Sequence, residues 1–245
     1  FSLGLSALIG AFWIDLPTEA IMLKISDGTD DFSLLAIPFF VLAGAIMAEG
    51  GMAFRLINLA KVLVGWIRGG LAIVNIFAST LFGTISGSSV ADTASVGSIM
   101  IPQMVRMGYP RIFAVNLTIC GSVQAVLIPP SHNAVIYSIA AGGSVSIAHL
   151  FLAGILPGAL FGLCLVGLVL WTARRQDMPK AESVTFGESL RIAADSVWGL
   201  GTVFIILGGI LSGVFTATES AAVACVYAFI VTMFIYRDYK WKDLP

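Results

Sequence analysis

Ile85-Ser86-Gly87-Ser88-Ser89-Val90-Ala91-Asp92-Thr93 interrupts a long apolar stretch, and its reading decides the fold. Residues 69–84 before it and 94–105 after it are apolar. Sixteen residues of helix rise roughly 24 Å, which passes a bilayer midplane and stops short of the far side. Neither arm alone is a comfortable span. Residues 69–105 therefore read as a re-entrant hairpin, two helices that turn back inside the membrane. Irregular backbone at membrane depth survives only inside protein or beside a water-filled cavity, so the tip must face such a place.

The chain around the tip reads as an all-α integral membrane protein. Hydrophobic residues make up 58% and charged ones 11%, where a soluble domain carries about 25%. Mean hydropathy is +0.97, and the net charge of −1 gives no sign of a nucleic-acid partner. No Asp, Glu, Lys or Arg stands between Ile112 and Ala173. Residues 1–14 read as the tail of a crossing, 15–31 as a polar loop and 32–50 as a crossing. Residues 52–68 carry Arg55, Lys61 and Arg68 among apolar side chains and read as a basic amphipathic helix in the interface plane. Gly69-Gly70 after it reads as a hinge. A crossing from residue 111 is broken at Pro129-Pro130-Ser131, because two prolines remove two amide donors, and it resumes to residue 142. Residues 147–172 form another crossing, 174–195 a polar loop, and 198–215 and 220–236 two more crossings. The chain opens at Phe1 inside an apolar run with no visible signal peptide, and it is expected to be a piece of a longer protein.

Charge asymmetry gives the expected sidedness. Arg55, Lys61, Arg68, Arg106, Arg111, Arg174, Arg175, Lys180, Arg191, Arg237, Lys240 and Lys242 fall on one side. The opposite loops, 15–31, 142–146 and 216–219, hold Lys24 as their one base. The positive-inside rule makes the first side cytoplasmic. A single crossing over 69–105 would put Arg106 and Arg111 outside, so the pattern excludes it.

Broken helices supply freed carbonyls and helix ends, which suit ions and anionic substrates. Ser86, Gly87, Ser88, Ser89 and Pro129 offer hydroxyl and carbonyl oxygens, a hard donor set that fits sodium and not a soft transition metal. Asp92 joins this candidate sodium site electrostatically, with N-capping of the second arm as its structural alternative. Thr93, Gln124, Ser131, His132 and Asn133 are candidate substrate contacts. For Gln124, His132 and Asn133, a hydrogen bond to the broken helix is the competing role. Cys120, Cys164 and Cys225 stand singly in apolar runs and read as packing residues. His149 reads as interfacial and Glu219 as a helix cap. No metalloprotease, serine-hydrolase or phosphate-loop motif is present, which argues against an enzyme.

Several blocks carry a family resemblance. Residues 83–92 (GTISGSSVAD) resemble the first hairpin of the large membrane subunit of tripartite ATP-independent periplasmic (TRAP) transporters. Residues 37–44 (IPFFVLAG) resemble its third-helix signature, and Ile128-Pro129-Pro130-Ser131 its first broken-helix motif. Residues 151–158 (FLAGILPG) and 208–219 (GGILSGVFTATE) are similar to later blocks. The resemblance implies an elevator transporter with two inverted repeats in the bacterial inner membrane. It implies sodium-coupled uptake of a small organic acid, without an organic cofactor, delivered by a periplasmic binding protein. It also implies a small four-helix partner subunit. A second hairpin and second broken helix are not found, so the chain is expected to hold the first repeat and the start of the second. On that plan 1–68 is scaffold and interfacial arm, 69–142 the transport part with hairpin 69–105 and broken helix 111–142, 147–172 a linking crossing, and 197–245 the opening of the second-repeat scaffold. His132-Asn133 stand where the family more often has an apolar pair, which leaves the substrate class open. The alternatives are a divalent-anion/sodium symporter of related fold that needs no binding protein, and a structural or respiratory membrane subunit.

Overall fold

A computed structural model describes residues 2–175 and 186–238, all helix and connecting turn. Helices α1 (Ser2–Trp13) and α2 (Thr18–Thr29) pack on each other. A single 3-10 turn, Phe32–Leu35, leads into α3 (Ala36–Glu49), and α4 (Met52–Val64) follows a glycine pair. The hairpin is α5 (Gly70–Ser86) and α6 (Ser89–Arg106). The broken span is α7 (Arg111–Leu127) and α8 (His132–Ala140), bent by 46°. Helices α9 (Ile147–Arg175), α10 (Phe186–Leu211) and α11 (Ala217–Ile230, continued by a π turn, Val231–Tyr236) complete the described residues.

Four helical stretches are long and apolar enough to cross a membrane: Phe32–Glu49, Ile147–Arg175, Gly187–Leu211 and Ala217–Tyr236, with the bent pair α7–α8 a fifth. Helices α5 and α6 flank a turn within the residues read as a hairpin, and α7 and α8 flank a bend at Pro129-Pro130. Two expectations are corrected. Residues 15–31 are not a loop throughout, because Thr18–Thr29 forms a helix in which Ile21, Met22, Leu23 and Ile25 alternate with Glu19, Lys24 and Asp27. The polar stretch 174–195 is also shorter than expected: α9 runs through Arg175, and α10 begins at Phe186. Lys180, Lys240 and Lys242 lie outside the described residues.

Lipid tails are as apolar as leucine, so helices in a bilayer associate through close packing and polar contacts more than through water exclusion. The chain follows that rule. A Cβ on Gly83 of α5 would stand 2.3 Å from the Cβ of Ala125 on α7. A Cβ on Gly158 of α9 would stand 2.7 Å from Ile128. One buried cluster joins the hairpin arms to α4, α7 and α9 through Ile57, Leu71, Val96, Met100, Leu117 and Val169. Two others join α3 and α11 to their neighbours, and the second reaches Ile85 near the hairpin tip.

Tertiary bonds pair like with like across the charge asymmetry. At the base-poor end Thr218 donates to the Phe32 carbonyl at 3.2 Å. At the basic end Arg55 meets Asp238 at 2.6 Å. Both pairs tie the α3–α4 segment to α11, at opposite ends. Single-cysteine labelling of the full-length protein in intact cells tests the sidedness. An impermeant reagent should modify Gly143→Cys and leave Arg106→Cys and Arg174→Cys untouched, and the reverse pattern contradicts it.

Candidate functional site: the hairpin tip and the helix break

Gly87 makes the hairpin turn. Its φ of +58° is left-handed, which glycine adopts without a Cβ penalty, and its N–H bonds back to the Gly83 carbonyl at 2.9 Å. Ser88 is extended and caps α6, its hydroxyl accepting from the Ala91 N–H at 3.4 Å. The break is built without a left-handed residue. Ile128 leaves α7 in an extended conformation, and Ser131, at φ −121° and ψ 124°, stands at the N-cap of α8 without a side-chain cap bond.

The structure brings these two irregular segments together. A Cβ on Gly87 would stand 2.7 Å from the Pro130 carbonyl oxygen and 3.3 Å from Nε2 of His132. Helix α3 closes the third side: a Cβ on Gly44 would stand 3.1 Å from that of Ser86, and the Phe40 ring lies 6.3 Å from the His132 ring. Ser86, Gly87, Pro129, Pro130 and Ser131 are buried, and Ser88, Ser89 and His132 are half-buried. His132 Nε2 is buried without a hydrogen-bond partner, so its ring presents a free polar atom beside the tip. The C-terminal ends of α5 and α7 and the N-terminal ends of α6 and α8 belong to these same two turns. Carbonyl ends favour a cation and amide ends an anion. Among the described residues no three His, Cys, Asp or Glu side chains gather as a metal site.

Asp92 sits one turn inside α6 and is fully buried. The cap role falls to Ser88, and the Asp92 carboxylate turns to α7, where Oδ2 accepts from the Ser122 hydroxyl at 2.7 Å. Ser122 accepts in turn from Thr93 at 2.8 Å. The buried hydroxyl of Ser79 on α5, next to Gly121 of α7, also lies against the Asp92 carboxylate. One rung further along, Asn75 donates to Thr118 at 2.7 Å. A buried polar seam thus runs between α5, α6 and α7 behind the tip.

The remaining candidates fall elsewhere. Thr93 and Ser89 line a groove of about 430 Å³ between α6 and α7. Gln124 is buried, donates to Thr80 at 2.9 Å and abuts Gly162, so its amide is used within the core. Asn133 is exposed. Glu219 completes a capping box with Thr216, as its position suggested. Cys225 is buried, Cys120 half-buried and Cys164 exposed, all free. Sequence reasoning missed Ser122 and Ser79. Their signal was a spacing of four between polar residues inside apolar helices, Asn75 with Ser79 and Thr118 with Ser122, which puts each pair on one helix face.

Two broken backbone segments packed tip to tip among apolar spans define a polytopic helical membrane protein. The whole chain, residues 1–245, matches the family model of the tripartite ATP-independent periplasmic transporter, DctM component, and the chain belongs to that family. It is 45% identical over its full length to a C4-dicarboxylate TRAP transporter large permease protein DctM of Pseudomonas aeruginosa, covering 57% of that protein. It is 44% identical to a protein of the same name from Vibrio cholerae, over 97% of this chain and 52% of that one. It is 41% identical to the 2,3-diketo-L-gulonate TRAP transporter large permease protein YiaN of Escherichia coli, over 95% of this chain and 55% of that one. All three are transporter permeases by name, and the chain spans little more than half the length of each.

Packing at the tip generates a stability prediction. Gly83→Ala and Gly87→Ala should each destabilise the protein by about 1–3 kcal/mol, the usual cost of overpacking. Gly28→Ala, with nothing within 4 Å of its Cβ, should be neutral or slightly stabilising. Thermal unfolding in detergent compares the three, and equal midpoints for all of them contradict the tight contact.

Proposed function

We propose that this chain forms part of a sodium-coupled secondary transporter that takes up a small carboxylate across the bacterial inner membrane. The observation that carries the reading is the contact of Gly87 with the Pro130 carbonyl and His132. It brings two sets of freed backbone groups into one place within the protein. Sodium, a hard cation, binds carbonyl and hydroxyl oxygens of Ser86, Gly87, Ser88, Ser89 and Pro129 at the carbonyl ends. A carboxylate binds at the amide ends of α6 and α8, with Ser131 and His132 beside it. Asp92 lies behind the tip and ties α6 to α7 through Ser122, so that tip and break move as one body. The names of the relatives, a C4-dicarboxylate and a 2,3-diketo-L-gulonate permease, support an organic-acid substrate.

Membership of the family supports the rest of the machine. A periplasmic binding protein delivers the substrate, and a small four-helix membrane subunit joins the scaffold. Movement is of the elevator kind: the loaded tip crosses as a rigid body, while a half-loaded tip leaves polar groups unsatisfied in a dry place.

Uptake into vesicles by the full-length protein with its partner subunits tests this reading. Ser88→Ala and Ser89→Ala should raise the sodium concentration for half-activation by about tenfold, the effect of roughly 1.4 kcal/mol on one ion site. Asp92→Asn should depress transport more than Glu219→Gln, whose carboxylate serves an exposed cap. Uptake that ignores the sodium gradient, or runs equally on a proton gradient, contradicts the assignment.

A further inference from the structure

Arg55 is gripped from several directions at the start of α4. Its Nη1 meets Oδ2 of Asp238 at 2.6 Å and donates to the Gly51 carbonyl at 3.1 Å. Its guanidinium carbon lies 3.7 Å from the centre of the Tyr236 ring. Its own carbonyl accepts from the Ser196 hydroxyl of α10 at 3.0 Å. Tyr236 is fixed in turn, its hydroxyl donating to the Asp195 carbonyl at 2.5 Å. The π turn Val231–Tyr236 adds a residue to the helical repeat, and the left-handed Arg237, at φ +57°, ends it. Together they set Tyr236 and Asp238 against α4. The connection from α3 is pressed onto the same place. A Cβ on Gly50 would stand 2.3 Å from Thr232 and one on Gly51 2.8 Å from Asp238.

The other end of α4 is built differently. Gly65 closes the helix, Gly69 takes φ +72°, and a Cβ on Gly70 would stand 2.0 Å from the Gly65 carbonyl. This turn hands the chain directly to the hairpin arm α5. Between the two ends α4 packs both ways. Met52 and Leu56 enter the cluster shared with α3 and α11, while Ala53, Ile57 and Ala60 enter the cluster shared with the hairpin.

We propose that Arg55 is a positioning residue that pins the N-terminal end of α4 to the end of α11, making it the fixed pivot of an arm whose glycine turn at residues 65–70 follows the moving hairpin. The inference rests on the transport reading above. The ion pair is partly exposed, with the side chains at 24% and 43% accessibility, and such pairs contribute little to stability. The stacked, bidentate-capable guanidinium instead fixes direction, a task that lysine does not perform.

The test is uptake by the full-length protein with its partner subunits in vesicles, scoring each variant against wild type under the same gradient. Arg55→Ala and Arg55→Lys should lower the maximal rate by about tenfold, equivalent to about 1.4 kcal/mol on the barrier, with half-saturating substrate and sodium within about twofold of wild type. If Arg55→Ala fails to fold, Asp238→Asn carries the same expectation. A maximal rate unchanged in folded variants, or a loss confined to half-saturation, overturns the proposal. Wild-type uptake that ignores sodium overturns the coupling reading alone, and the ratio of variant to wild type still decides the pivot.

Discussion

A peptide group cannot be left unpaired in hydrocarbon, and the architecture of this chain depends on that constraint. Gly87 and the Pro129-Pro130 pair break two helices where regular backbone bonding would otherwise be free of cost. Each break exposes amides and carbonyls that lipid does not solvate. The chain answers by placing the two breaks against each other and closing the remaining side with α3 at Gly44 and Phe40. Small residues make that approach possible, and the seam of Asn75, Ser79, Asp92, Thr118 and Ser122 fastens the helices behind it. A buried carboxylate is an expensive fastening, so it is informative that the seam lies next to the break and not at a distant helix contact.

How much of this was legible follows from what each residue type dictates. Gly87 and Pro129-Pro130 constrain the backbone whatever surrounds them, so hairpin and break could be placed from the sequence to within a residue or two. Long apolar runs likewise announce their helices. The α2 helix was missed because its charges resemble those of a loop, and its apolar residues are too few to outweigh Asp15, Asp27, Asp30 and Asp31 around them. The direction of the Asp92 side chain was also not legible. A carboxylate in a first helical turn is ordinarily a cap or dipole partner, and only the packing of α7 shows that Ser122 takes it instead. For Gln124 the sequence leaves a substrate contact and a structural hydrogen bond open, and only the packing of Gly162 on α9 and the bond to Thr80 show its amide engaged within the core. The contact between Arg55 and Asp238 joins residues 183 positions apart, and no local pattern foretells it.

Membership in the TRAP transporter DctM family and the multi-span helical fold rest on the whole chain. The proposed sodium and carboxylate chemistry rests on the turns at residues 86–89 and 129–132 packed against each other and against α3. These turns carry hydroxyl and carbonyl oxygens and helix ends of both polarities, with the Asp92–Ser122 bond joining α6 to α7 behind them.

Rigidity of the tip with the break is the central claim, and a pair of distance measurements tests it most directly. Spin labels at Val90→Cys and Tyr137→Cys, both exposed positions on α6 and α8, report within the unit. Labels at Val90→Cys and Val214→Cys report between the unit and the α10–α11 turn. Pulsed electron paramagnetic resonance is recorded on the full-length protein with its partner subunits in vesicles, with and without sodium and substrate. The account predicts one unchanged distance distribution for the first pair and a shifted or second population for the other. A Val90–Tyr137 distribution that shifts as far as the Val90–Val214 one would show that tip and break part company, and would contradict it.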